Sequence, residues 1–432
     1  MQTFKSLCVS TIILGLLLSV SPNAFADEPS VEVIDNTNWQ KVEGLVPEVL
    51  LEWVKTGEFI LPLGELSYDL IGLWPSHYLE SRTANIGKYA LDETGVIVDA
   101  KTGKLAKSVI GIPFPDIDPA DPQAGTKIIY NKAGVTNGWG NKRFNTTIAW
   151  IGGGSGFERE IQATFVEGAH TGSPGALEYP NPKDFEKYSI ISVRSPYDLA
   201  GTSVMLWRYL DNRSDLNFSY IPAIRRVRRS TPANRSDGFV GSDFTVDDAA
   251  AYDGKVPAFE WKLIGKQEGL MNFGVAYPMP MSINKKGEWV MKPTVGTRYG
   301  YTEKGASVAP WCPLDSVYVK RPVWVIEAKA KDPYYNAGVQ YIWIDTETWF
   351  PLYKMTHDRA GKFWKFILMT TVGQQTADKK AGTSNILDHI VVDKRRDHAS
   401  HIKQMFPGNK FVFFADLDLN DFSLAGFQKY CK

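Results

Sequence analysis

The chain has 432 residues, and its 48 basic and 48 acidic side chains cancel to a formal net charge of zero. That balance supplies no global field for drawing in nucleic acid or an anionic membrane, so any charged recognition must be local. A hydrophobic content of 44% supports a packed core and excludes disorder for most of the chain, while 12% aromatic residues leave some to spare for a cavity wall.

Residues 1–26 read as a secretory signal: Lys5 gives the positive start, an apolar run from Val9 to Val20 follows, and Ala24-Phe25-Ala26 offers small residues for cleavage after Ala26. The run is shorter than the roughly 18 apolar residues of a membrane-spanning helix, so a soluble, exported, periplasmic chain is expected. Cys8 precedes the apolar run, where it is badly placed for lipid attachment. Pro47 to Lys55 pairs Val49 with Trp53 and Leu50 with Val54 at helical spacing and stops at Gly57, which predicts one short amphipathic helix. Ile112 to Gly125 (IPFPDIDPADPQAG) can be neither helix nor central strand and is expected to be an ordered loop or lid.

From about residue 144 to 375 the period is two. Ile161, Ala163 and Phe165 alternate with polar neighbours, and Val204, Leu206 and Arg208 oppose Met205, Trp207 and Tyr209. Between Pro322 and Leu368, turn clusters at Asp332-Pro333, Asp345 to Thr348 and Asp358 to Gly361 separate four such runs and predict an antiparallel meander. Trp324 and Ile326, with Tyr341 and Trp343, are expected on one apolar and aromatic sheet face, together with Trp207 and Tyr209. Thr245 to Asp248 reads as a capping box that starts a short helix across the sheet.

Gly152 to Gly156 lies between strand-like runs and reads as a turn, since it fits no phosphate-binding fingerprint, and Ser155 lacks the spacing of a nucleophile elbow. Asp397, His398 and His401 could offer two imidazoles to a metal on one helical turn, but Arg395 and Arg396 adjoin them and no further ligand is evident. A surface or capping role is favoured, with no metal, cofactor or catalytic set. Asp116, Asp118, Asp121, Asp416, Asp418 and Asn420 read as turn residues rather than calcium ligands. Arg225, Arg226, Arg228 and Arg229 fall on both faces of a strand, so at least one pair is expected to meet Asp243, Asp247 or Asp248 in an ion-pair network or polar gate. Cys312 and Cys431, the thiols left after processing, are expected to form a disulfide in an oxidising compartment.

The run Trp207-Arg208-Tyr209, then YIPAIRRVRR, then GSDFTVDD, with WIDTETWFPL and HDRAGK further on, resembles the LolA/LolB-like outer-membrane lipoprotein-sorting superfamily. With PFPDIDPADPQAGTKI the pattern is similar to domain-of-unknown-function family 1329, large exported bacterial proteins, over nearly the whole mature chain. The resemblance implies a mainly β, α+β fold: a curved antiparallel half-barrel over 141–375 plugged by short helices, an N-terminal segment over 27–140, and a C-terminal extension over 376–432 packed on the barrel. It also implies a carrier of a lipid, a lipoprotein acyl chain or another hydrophobic molecule, working between an inner-membrane exporter and an outer-membrane β-barrel, with no nucleic acid. Trp207, Tyr209, Tyr220, Ile224, Trp324, Ile326, Tyr341 and Trp343 are the candidate ligand contacts. The alternative is a non-enzymatic assembly or adaptor subunit of an envelope transport system, its cavity filled by its own side chains.

Overall fold

A computed structural model describes residues 32–72, 74–174, 180–230 and 232–432, so the expected signal sequence and its expected cleavage point lie outside the described residues. Residues 32–432 form one compact unit, mostly β. No helix among the described residues is long and apolar enough to cross a membrane.

The principal strands are β1 Lys142–Gly152, β2 Gly156–Ala169, β3 Phe185–Ser195, β4 Ser203–Tyr209, β5 Leu216–Ile221, β6 Arg226–Ser230, β7 Phe259–Phe273, β8 Val317–Ala330, β9 Val339–Asp345, β10 Pro351–His357, β11 Phe363–Thr376, β12 Gly382–Asp393, β13 His398–Lys403 and β14 Phe411–Phe413. Antiparallel pairing runs β6-β5-β4-β3-β2-β1-β13-β12-β11-β10-β9-β8-β7 without interruption. The ribbon curls until Phe273 at the end of β7 bridges Thr371 in β11. The expected curved antiparallel sheet is therefore present. The region expected as a C-terminal extension instead supplies β12 and β13, the strands that join the two halves of the sheet. Apolar residues at Ile386, Leu387 and Ile390 to Val392 have no solvent-facing alternation because both faces of β12 are buried.

The meander β8 to β11 forms as expected, and each of its turns is held by an aspartate acting on its own backbone. The Asp345 carboxylate accepts from the Glu347 and Thr348 amides at 2.9 and 2.6 Å, Asp358 from Ala360 and Lys362 at 2.9 and 3.0 Å, and Asp332 from Tyr334 at 2.8 Å. Gly152 and Gly156 close the β1–β2 hairpin, with Gly156 at φ +69°. Asp118, Asp121 and Asp418 likewise cap nearby amides.

Among the described residues, three α-helices run for two turns or more. The first, α1 Glu48–Lys55, buries Leu50, Leu51, Trp53 and Val54 on one face and ends before Gly57 at φ +79°, as its spacing predicts. The second, α2 Ser76–Ala84, and the third, α3 Ala124–Asn137, are not apparent in the sequence. Gly125 and Gly134 weaken α3 as a helix former, yet both are required by close approach: a Cβ on Gly125 would stand 2.9 Å from the Trp261 backbone in β7, and one on Gly134 2.8 Å from the Gly111 carbonyl oxygen. The proline-rich loop ends where α3 begins, and the Asn131 side chain pins it by accepting from the Phe114 amide at 2.8 Å. The capping box at Thr245 is present, the Asp248 carboxylate accepting from the Thr245 amide at 3.0 Å. It starts a 3-10 turn, Val246–Ala251, rather than an α-helix, because Ala249 is extended and Ala250 turns to φ +47°.

Cys312 and Cys431 do not pair. Both are free and buried, in two separate apolar clusters, and each thiol donates to a carbonyl nearby in sequence, Pro313 at 3.4 Å and Phe427 at 3.3 Å. Burial pushes the Cys312 thiol up to about 12 and that of Cys431 to about 11, which keeps both protonated at neutral pH.

Candidate functional site

A cavity of about 150 Å³ lies against the face of β1 to β4 that carries Val204 and Leu206, roofed by Phe244, Val246, Ala249 and Ala250. Its chemistry follows from register. Phe144, Phe165, Ile191 and Val204 stand side by side across four strands as an apolar row. The adjacent row is Lys142, Glu167, Ser189 and Leu206, and beyond it come Ala169, Lys187 and Arg208. The wall thus passes from hydrocarbon to charge over two steps of the pleat. β13, β12 and β14 extend the apolar part with Ile402, Ile386, Phe411 and Phe413, and α3 closes the charged end with Lys132, Thr136 and Asn137.

Most charges at that end are matched. Lys142 meets Glu167 at 2.8 Å, Lys187 meets Glu167 at 3.1 Å and Asp253 at 2.7 Å, Arg208 meets Asp215 at 3.0 Å, and Arg235 meets Asp247 at 2.6 Å. Burial pushes the Glu167 carboxyl up, but Lys142 and Lys187 more than reverse this and hold it below its ordinary value. Lys187 is the mirror case: burial disfavours its charge, and Asp253 with Glu167 raises it instead. For Asp247 burial wins over Arg235 and the carboxyl is raised. Lys132 differs from all of these. It is 2% exposed, makes no ion pair among the described residues, and donates to the Tyr252 carbonyl.

The three aspartates singled out in the sequence are buried and paired, but not with the expected arginines. Asp243 meets Arg396 at 3.1 Å and His398 at 2.5 Å, Asp247 meets Arg235, and Asp248 meets Lys354 at 2.7 Å. Arg225, Arg226, Arg228 and Arg229 are exposed on the β5–β6 hairpin and make no ion pair among the described residues. The four side chains reach water from that edge hairpin even though Val227 between them packs inward, which removes the need for buried partners. Arg235, which takes the role, stands just past a proline and outside the arginine run.

His398 and His401 lie in strand β13, not on a helical turn, so a spacing of three sends them to opposite faces. His398 faces Asp243 and, at 3.4 Å, Glu158, whereas His401 lies 2.9 Å from the Tyr301 hydroxyl and packs its ring against Tyr299. Asp397 is the turn residue before the strand, at φ +49°.

The aromatic residues expected to share a face are divided. Trp324 and Ile326 stand opposite Ile344 and Ile342, while Trp343 and Tyr341 stand opposite Val325 and Glu327, so the two sets occupy opposite sides of the meander. Trp207 and Tyr209 point away from the cavity. There Trp207 donates to the Phe422 carbonyl at 2.8 Å, and Tyr209 stacks on Phe185 with ring centres 4.8 Å apart. Tyr220 packs in the same small cluster, and Ile224 is exposed at the hairpin tip. None of these eight side chains lines the cavity. The alternation of β4 separates its faces as the sequence indicates, but the face beside the cavity is the one carrying Val204, Leu206 and Arg208. A charge on an otherwise apolar strand face was the available signal.

The model of the family described as "Protein of unknown function (DUF1329)" matches residues 33–413. No curated protein matches. Among solved structures, a domain from Vibrio parahaemolyticus assigned to outer membrane lipoprotein sorting is 14% identical, covering 72% of this chain and 100% of its own, with a TM-score of 0.47. A DUF1329 family protein from Desulfovibrio piger is 14% identical over 71% of this chain and 99% of its own, with a TM-score of 0.46. A LolA superfamily protein from Nitrosomonas europaea is 10% identical over 70% and 98%, with a TM-score of 0.41.

Proposed function

The chain belongs to the DUF1329 family, and we propose that it is a non-enzymatic periplasmic carrier that shelters a hydrophobic molecule in the cavity over β1 to β4. The observation that carries this reading is the apolar row Phe144, Phe165, Ile191 and Val204 facing a void whose roof sets the small Ala249 and Ala250 beside Phe244 and Val246. A packed core would place large side chains there, since burying apolar area stabilises by about 25 cal/mol per Å². Transport toward the outer membrane, from an inner-membrane exporter to a β-barrel, belongs to the same proposal.

The non-enzymatic part rests on how the titratable groups other than Lys132 are engaged. Lys142, Lys187, Arg208 and Arg235 each meet a carboxylate, and the His398 imidazole is held between Asp243 and Glu158. The test is extraction and mass spectrometry of lipids from protein purified out of its own host, followed by titration with 1-octanol. A bound hydrophobic species, and octanol binding that Val204→Phe abolishes, are expected. An empty protein that also ignores octanol would end the carrier reading and favour the adaptor subunit.

A further inference from the structure

Among the described residues, Lys132 is the one cation lining the cavity without an acid of its own. Lys142 has Glu167, Lys187 has Asp253 and Arg235 has Asp247, at 2.8, 2.7 and 2.6 Å. Lys132 projects from α3 at the charged end, 2% exposed, and its sole hydrogen-bond acceptor among the described residues is the Tyr252 carbonyl. An ammonium has three N–H donors, so this leaves two unused, beside a hole. A buried charge without a counter-ion is costly, and a core under no other demand would hold Met or Leu at such a position.

We propose that Lys132 is the counter-ion for a single carboxylate, so that the cavity takes a monoanionic acyl chain, head against α3 and hydrocarbon along the Phe144 to Val204 row. The inference rests on the carrier reading and names its ligand class. One unmatched lysine calls for one negative charge, and the register dictates direction, since the charged rows and the apolar row are successive steps along the same strands. Electrostatics agree with the geometry. Burial brings Lys132 down to about 7 although Asp253 opposes it, and Lys187, Lys142 and Lys354 add to the lowering. A carboxylate arriving there supplies the missing partner and holds the proton on Nζ. The volume of about 150 Å³ is of the size that admits a benzene ring, so the head and the first carbons fit as the cavity stands.

Calorimetric titration of the purified protein with octanoate and with 1-octanol, equal in chain length and different in charge, separates the possibilities. The wild type should bind octanoate at least about tenfold more tightly than octanol, about 1.4 kcal/mol. Lys132→Met, close in volume and uncharged, should lose the preference for the carboxylate over the alcohol. Equal binding of the two by the wild type, or a preference that survives in Lys132→Met, overturns the assignment of Lys132 while leaving the carrier intact. Binding of neither overturns the carrier and this inference together. Should Lys132→Met fail to fold, Lys132→Gln takes its place in the same pair of titrations, with the same outcomes deciding.

Discussion

The two halves of one sheet are filled differently. In the half built from β7 to β11, large aromatic side chains meet: Trp53 of α1 stacks on Phe59 and meets Phe366 edge-on, each with ring centres 5.3 Å apart, and Tyr353 stacks on Phe366 at 5.7 Å. In the half built from β1 to β6 the covering segment presents Ala249 and Ala250, and Ala250 and Ala251 adopt positive φ. What distinguishes the cavity from the core here is the pair of small side chains, Ala249 and Ala250, that stands beside Phe244 and Val246 in its roof, and the rows of charge allowed at one end.

The largest expected effects come from removing what each half relies on. Glu167→Ala leaves Lys142 without its acid and Lys187 with one of its two, and breaking such a buried pairing should cost about 3–5 kcal/mol in urea denaturation. Trp53→Ala should cost a similar 3–5 kcal/mol for the opposite reason, an apolar void in a filled interior. If Glu167→Ala is nearly neutral, the charged end is hydrated and the two halves differ less than their ion pairs imply.

Adding volume should sharpen the contrast with a smaller effect. Leu352, fully buried in β10, has no room, and Leu352→Phe should lose about 1–3 kcal/mol. Val204→Phe points into the cavity and should shift stability by less than about 1 kcal/mol while displacing any ligand. Equal losses at the two positions would show that the cavity collapses in solution.

These contrasts also mark what could be read from the chain. The helix α1, the meander and its aspartate turns were legible because local spacing and Asx chemistry specify them without reference to distant residues. α3 was not, because Gly125 and Gly134 serve contacts with β7 and with Gly111, far off in sequence. The partners of Asp243, Asp247 and Asp248 were misassigned because the arginine run lies on an exposed hairpin, while Arg235, outside that run, and Lys354 and Arg396, far off in sequence, are the groups that reach them in the fold. The cavity wall was hidden because aromatic content pointed to the opposite face, which the C-terminal segment covers through Phe422 and Phe427.

At the junction of the halves, His398 in β13 should give a pH-dependent term. Its imidazole pKa is raised, chiefly by the hydrogen bond to Asp243, with Glu158 adding to it and burial opposing. A group raised on folding contributes stability in full below its unfolded value, near 6.5, and loses it as pH climbs through the folded value. The melting temperature of the wild type, relative to His398→Gln, should therefore be higher at about pH 5.5 than at about pH 8.5. A difference that stays constant or reverses between those values would show that the imidazole is neutral throughout.

The smallest effect is expected where the sequence promised one of the largest. Arg226 and Arg228 are exposed on the edge strand β6, opposite Ile221 and Ser219 of β5, and neither makes an ion pair among the described residues. Exposed positions without partners shift stability by no more than about 0.5 kcal/mol, so Arg226→Ser with Arg228→Ser should leave the urea midpoint almost unchanged. Arg235→Ala, a short step along the chain from Arg228, strands the buried Asp247 and should cost about 3–5 kcal/mol. Chevron kinetics would add a further distinction, since a contact that forms after the folding transition state speeds unfolding when it is removed. If the hairpin variant instead loses more than about 1 kcal/mol, these arginines hold carboxylates in solution, and the open edge is part of the ionic interior after all.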